Sequence, residues 1–274
     1  MKISDHLYVV TGCSSGLGLA TSQLLHSQGA FVALFDLNVS AGQTLQRELG
    51  SKTRFWECDV GDLESVDKAF EGVRKWVEEE KLIWGGVVHA GGVGMAGKTI
   101  DREFNPFNLE TFKEVHRINL DGSFLIASHV ASEIARQNAE KDKKDLSKPE
   151  NAVEEGGDRG VIILTSSVSA TEGQMGQLAY ASSKAAVEGL VLPMSRDLAR
   201  YGIRVVCLAP SLFSTNMGKN TSDKTRNSLL ATTLFPPRFG VPQEFAHLAK
   251  SVIENGYLNG TTIRIDGGGR MAKM

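Results

Sequence analysis

Tyr180 and Lys184 stand four residues apart in the run Tyr180-Ala181-Ser182-Ser183-Lys184, and Ser167 lies thirteen residues before the tyrosine. On a helix, positions i and i+4 share a face about one turn apart, so an ammonium at 184 can lie near a phenol at 180. A phenol titrates near pKa 10 and must fall by about three units, roughly 4 kcal/mol, to exchange protons with an alcohol at neutral pH. A nearby cation supplies part of that shift. A serine hydroxyl can hold the substrate oxygen and stabilise charge developing on it. The three side chains together suit proton transfer at a carbinol oxygen, the companion of hydride transfer.

Hydride transfer needs a redox cofactor, and the start of the chain supplies a cradle for one. The turn Thr11-Gly12-Cys13-Ser14-Ser15-Gly16-Leu17-Gly18 joins an apolar strand to a helix. Backbone N–H groups at such a helix start, from Gly12 and Ser15 to Leu17, can hold a pyrophosphate. Gly16 lets a phosphate approach, and Gly18 lets helix and strand pack closely. Glycine turns of this kind also occur without a ligand, so the next strand is the independent check. Asp36 ends it, eighteen residues beyond Gly18, where a carboxylate can accept hydrogen bonds from the adenosine ribose hydroxyls. A carboxylate there repels a 2′-phosphate, and neither Cys13 nor Leu37 offers a compensating cation, so NAD is expected over NADP. Asp59 and Val60, after the third strand, can bracket the adenine, although a plain turn Asp fits as well.

These residues need a scaffold, and the pattern describes one. Short apolar runs alternate with amphipathic stretches, the signature of βαβ units. Strands are expected at 7–11, 31–35, 54–58, 87–89, 161–165, 204–209 and 262–265, and helices notably at 17–28, 65–79, 109–138 and 178–201. The expected fold is a single α/β domain spanning 1–274, a doubly wound Rossmann-type seven-stranded parallel sheet with helices on both faces. Two stretches break the alternation. Residues 139–159, rich in Lys, Asp and Glu, read as a solvated polar insertion loop. Residues 211–238, with Phe213, Met217, Leu229, Leu230, Leu234 and Phe235 before Pro236-Pro237, read as an apolar substrate lid.

Composition narrows the function. The 274 residues are 41% hydrophobic and 23% charged, with formal net charge −2, so no electrostatic footprint for nucleic acid is present. Cys13, Cys58 and Cys207 are odd in number and lack a CxxC spacing, against a disulfide framework or zinc site and in favour of a reducing compartment. No apolar run is long enough to span a membrane, and no targeting segment is visible. A cytoplasmic protein is the default expectation.

Taken in order and spacing, Thr11–Gly18, Asp36, Asp59-Val60, Asn119, Ser167, Tyr180, Lys184, Pro210, Thr215 and Asp266-Gly267-Gly268 resemble the short-chain dehydrogenase/reductase family over essentially the whole chain. Glu172-Gly173-Gln174, Gly176-Gln177, Gly202-Ile203-Arg204-Val205 and Asn259-Gly260 look closest to its type II 3-hydroxyacyl-CoA dehydrogenases, which also act on hydroxysteroids. The resemblance implies that Tyr180 is the acid/base, that Ser167 holds the substrate oxygen and that Lys184 also holds the nicotinamide ribose. It implies that Asn119 supports a water linking Lys184 to solvent, that Ala90, Gly91 and Phe213 border the cofactor, and that Thr215 bonds the carboxamide; Asn119 also reads as a residue that satisfies a kink in a long helix. It also implies a homotetramer built on the Tyr180 helix and a neighbour, and allows a mitochondrial location. Departures fall at Val88-His89, where the family has Asn followed by Asn or Cys, and at Ser211, where Gly is usual. His89 reads equally as a contact to the adenosine side or as a buried neutral histidine. The expected function is NAD-dependent interconversion of a secondary alcohol and a ketone, with 3-hydroxyacyl-CoA or a hydroxysteroid favoured. A ketoreductase or alcohol dehydrogenase of specialised metabolism, and a cofactor-binding scaffold or non-redox enzyme, are the alternatives.

Overall fold

The computed structural model describes residues 1–142, 157–215, 230 and 232–271. In chain order the elements are β1 (His6–Thr11), α1 (Gly16–Ser27), β2 (Phe31–Asp36), α2 (Val39–Leu49), β3 (Thr53–Glu57), α3 (Leu63–Glu80) and β4 (Ile83–His89). There follow α4 (Leu109–His116), a π turn (Arg117–Asp121), α5 (Gly122–Asp142), β5 (Gly160–Thr165), α6 (Leu178–Leu198), β6 (Ile203–Pro210), α7 (Pro242–Glu254) and β7 (Thr261–Ile265). The seven strands are all parallel, in the order β3-β2-β1-β4-β5-β6-β7. The order reverses between β1 and β4, and a doubly wound sheet opens its ligand crevice at the carboxyl ends of the strands beside such a switch.

Burial on both sheet faces explains the near-continuous apolar strands. One face packs Leu7, Val9, Val87, Ile162 and Val205 against α3, α5 and α6; the other packs Val10, Leu34, Val88, Ile163 and Val206 against α1, α2 and α7. Phe70 on α3 stacks edge-on against Phe35 and face-on against Trp84, with ring centroids 5.5 and 6.3 Å apart. Burying each such aromatic stabilises the fold by roughly 1.5–3 kcal/mol. Among the described residues no helix is long and apolar enough to cross a membrane.

Three elements differ from the sequence expectation, each for a local reason. β4 begins at Ile83 rather than at residue 87, because Trp84 and Gly86 already pair with Leu7 and Tyr8 across a register shift; Gly85-Gly86 masks the strand from propensity. The single helix expected at 109–138 is divided by the π turn, in which Ser123 Oγ donates to the Asn119 carbonyl at 2.6 Å. The polar stretch 139–159 is not loop from its start, since α5 continues to Asp142. Its far end is pinned: Asp158 pairs with Arg204 at 3.0 Å, and the Arg159 amide donates to the Gly202 carbonyl at 2.9 Å. Residues 143–156, and 216–229 with 231 of the expected lid, including Met217 and Leu229, lie outside the described residues.

Candidate active site

Strand ends and helix starts converge on one cavity of about 350 Å³. Its wall contains Gly12, Ser15, Gly16, Leu17, Gly18, Asp36, Asp59, Val60, Ala90, Gly91, Ser167, Tyr180, Lys184, Phe213 and Thr215. Side chains scattered over two hundred residues of sequence thus share one surface.

At one end of the cavity the turn residues Ser15 and Gly16 lead straight into α1. The side chains of Asn38, Asp62 and Asn108 cap α2, α3 and α4, whereas Ser15 caps α1 with no side-chain bond. The first-turn N–H groups of α1 therefore remain available to an anion. Gly16 has φ +50°, and a Cβ there would press on Thr215 at 3.1 Å; a Cβ on Gly18 would collide with the Gly12 carbonyl. Asp36 is oriented by two backbone donors, Ser14 N at 3.0 Å and Asn38 N at 2.9 Å. Its carboxylate is fixed at the cavity edge, and a carboxylate with hydrogen-bonding capacity left suits vicinal hydroxyls rather than a phosphate. Asp59 is likewise held, by Gly61 N at 3.0 Å and Arg117 Nη1 at 3.1 Å. The cradle and the fixed carboxylate fit a nicotinamide dinucleotide.

At the other end Ser167 follows β5, and Tyr180 and Lys184 face inward from α6. Ser167 Oγ accepts the Ser169 amide at 3.1 Å, which orients the hydroxyl. Burial pushes the Tyr180 phenol up, and the nearby Ser167 hydroxyl works in the opposite direction. Lys184 Nζ lies 5.8 Å from the Tyr180 ring centroid and donates to the Thr165 carbonyl at 2.8 Å. Burial brings its ammonium down to about 8. Ser166, adjacent to Ser167, turns away: its hydroxyl reaches the Lys184 carbonyl at 3.0 Å and Glu188 Oε1 at 2.9 Å.

Two expected site residues are not on the cavity wall. Asn119 is buried in the π turn, where Oδ1 accepts Val93 N at 2.9 Å and Nδ2 donates to Val93 O at 2.9 Å and Ser183 Oγ at 3.0 Å. It ties the loop after β4 to the residue preceding Lys184. His89 is buried beneath the cavity, with Nδ1 2.9 Å from Thr11 Oγ1, which also accepts Gly91 N at 2.9 Å. Burial and the neighbouring Lys184 charge depress its pKa to about 3, so the ring is neutral.

Sequence reasoning missed the backbone partners. The Thr165 carbonyl that holds Lys184 and the Val93 peptide that holds Asn119 carry no side-chain signal. Ser183 could have been found, since it lies inside the Tyr180–Lys184 run.

The model of the short chain dehydrogenase family matches residues 6–141 and 150–226. The chain belongs to the short-chain dehydrogenases. Its relatives agree along its length. The 3-hydroxyacyl-CoA dehydrogenase type-2 of Bos taurus is 40% identical over 264 residues, 96% of this chain and 94% of the relative. The protein of the same name from Homo sapiens is 39% identical over the same shares. The crystal structure of 3-hydroxyacyl-CoA dehydrogenase type-2 from Mycobacterium avium superposes with a TM-score of 0.86 at 33% identity, covering 98% of each chain. This short-chain dehydrogenase is accordingly an oxidoreductase of CH–OH groups, in a family that uses nicotinamide cofactors.

Proposed function

We propose that the protein is an NAD-dependent dehydrogenase that interconverts a secondary alcohol and its ketone, with a 3-hydroxyacyl-CoA thioester or a hydroxysteroid as substrate. The observation that carries the reading is the single cavity running from the Asp36 carboxylate to the Ser167, Tyr180 and Lys184 side chains. The thioester class is supported by the names of the relatives at 39–40% identity.

Asp36 holds the adenosine ribose hydroxyls, the α1 N-terminus and Ser15–Leu17 hold the pyrophosphate, and Asp59-Val60 flank the adenine. Thr215 and the Lys184 ammonium hold the nicotinamide end, with Phe213 and Ala90–Gly91 as its walls. When bound, the nicotinamide supplies the hydride acceptor for oxidation and the hydride donor for reduction. Ser167 Oγ donates to the substrate oxygen. Tyr180 Oη takes the alcohol proton in oxidation and returns it in reduction. For this its phenol must come down from the value to which burial raises it, through the Ser167 hydroxyl and the Lys184 ammonium. Asn119 fixes the Val93 loop and Ser183 through its side chain, and would support a water linking Lys184 to solvent. His89 carries the Ala90–Gly91 wall through its bond to Thr11.

A homotetramer is supported by an apolar groove of about 620 Å³ between α5 and α6, where Phe124 is exposed and Met194 and Tyr201 are partly so. A reducing compartment such as the cytoplasm suits three free, buried cysteines. The test is incubation with NAD or NADP and parallel panels of 3-hydroxyacyl-CoA, steroid and simple secondary alcohols, followed by reduced-nicotinamide absorbance. Turnover with NAD on the first two panels is expected. No response from any panel would replace this reading with that of a cofactor-binding scaffold.

A further inference from the structure

Four charged side chains gather behind the loop that carries Ser167. Glu172 follows Ser167 by five residues, just past a short turn, Val168–Ala170. Its Oε1 lies 2.9 Å from Arg264 Nη1 and 3.6 Å from Arg270 Nε, and its Oε2 accepts the Met271 amide at 2.9 Å. Arg264, on β7, turns Nε to Asp266 Oδ2 at 2.8 Å, and Arg270 Nη1 reaches the same oxygen at 3.0 Å. Two carboxylates and two guanidiniums therefore balance. The Glu172 and Asp266 side chains are only 21% and 11% exposed, so the cluster is screened less than an open surface pair.

The segment that these charges hold in turn holds the described base of the expected lid. Leu234 N and Phe235 N both donate to the Gly267 carbonyl, at 3.2 and 3.1 Å, and Arg270 N donates to the Thr232 carbonyl at 3.3 Å. The Asp266 Oδ1 bond to Gly268 N, 3.0 Å, sets the turn that presents Gly267. Thr233, Pro236, Asp266 and Gly267 share a small cavity with Ser211 and Phe213, and the latter two also line the active-site cavity. Glu172, Asp266 and Arg270 lie outside the strands and helices, and Arg264 lies on β7, the edge strand of the sheet. Loosening them bears on that edge and the segments beyond it, and leaves the central strands packed.

Resting on the reading of Ser167 as the group that holds the substrate oxygen, we propose that Glu172 is a positioning residue: it locks the Ser167 loop to residues 266–271 and through them to the 232–235 wall of the substrate side. A substrate that meets the locked arrangement has fewer segments to order, so the lock acts on binding more than on the chemical step.

Glu172→Gln keeps an acceptor for the Met271 amide and removes the charge. The expected result is a KM for the alcohol raised about 10-fold, kcat changed by less than about 3-fold and NAD affinity unchanged. Amide hydrogen exchange at 232–235 and 267–271 should quicken by about 10-fold or more, with the core strands unaltered. Raising salt from about 0.05 to about 0.5 M should raise the wild-type KM and leave the variant's nearly flat, and Glu172→Asp should recover part of the loss. Unchanged KM and unchanged exchange would overturn the proposal, as would a parallel fall in kcat and NAD affinity. If the wild type oxidises none of the alcohols, the reading of function fails instead, and the exchange measurement still decides whether Glu172 locks these segments.

Discussion

The nucleotide half and the substrate half of the cavity are built in different ways. In the first, the groups that matter sit at the starts and ends of regular elements: the Thr11–Gly18 turn aims its own N–H groups, and the amides of Ser14 and Asn38 fix Asp36, with one longer link, from Arg117, on Asp59. In the second, Ser167, Phe213, the 232–235 segment and the tail after β7 come from distant parts of the chain and are held by cross-links such as Glu172–Arg264. A local site is rigid as soon as the strand and helix beside it form. A site assembled from distant loops depends on polar links that can loosen one at a time, which leaves the substrate side free to adapt while the cofactor side stays fixed.

Lys184 belongs to both halves, so its loss should be felt in both. Lys184→Met is expected to lower kcat/KM about 10³-fold, by steady-state kinetics with saturating NAD; a loss below about 10-fold would detach it from the chemistry. The same change has a stability signature. The folded-state value of about 8 lies below the ordinary 10.5, so between these the unfolded chain binds the extra proton. Wild-type stability should therefore gain from this group as pH rises from about 8 to 10.5, and the variant should lack that gain in denaturant titrations. Asp36→Ala should touch the nucleotide half alone: the preference for NAD over NADP, measured by direct binding, should fall about 50-fold, with kcat at saturating NAD within about 3-fold. An unchanged preference would mean that Asp36 merely ends its strand. His89→Asn should give the smallest change, visible only in acid. His89 titrates at about 3 when folded against an ordinary 6.5, so folding stability falls by about 1.4 kcal/mol per pH unit below 6.5 on its account. The variant should resist acid unfolding between about pH 4 and 6 better than the wild type, relative to their stabilities at neutral pH. An identical acid slope in both proteins would contradict a neutral buried ring.

The same division explains what could be read from the sequence. The strand pattern, the glycine turn and the Tyr180–Lys184 step are local periodicities, and the fold they specify is the one observed. Asn119 could be read as satisfying a kink in a long helix, and the helix does break there; the partner of its side chain, the Val93 peptide, is remote in sequence and carried no signal. His89 left two readings open because strand parity gives the face a residue points to and not its depth; the bond to Thr11 decides the depth. Glu172 and Asp266 stood inside motifs read as family likeness, yet their joint role depends on Arg264 and Arg270, which single-residue inspection passes over.

The central claim is that Tyr180 moves the substrate proton in a site that binds NAD. Tyr180→Phe should bind NAD as the wild type does, by fluorescence or calorimetry, and should lose about 10³-fold or more of its turnover at pH 7 on the best alcohol of the panel. Normal NAD binding with most of the turnover retained would contradict it.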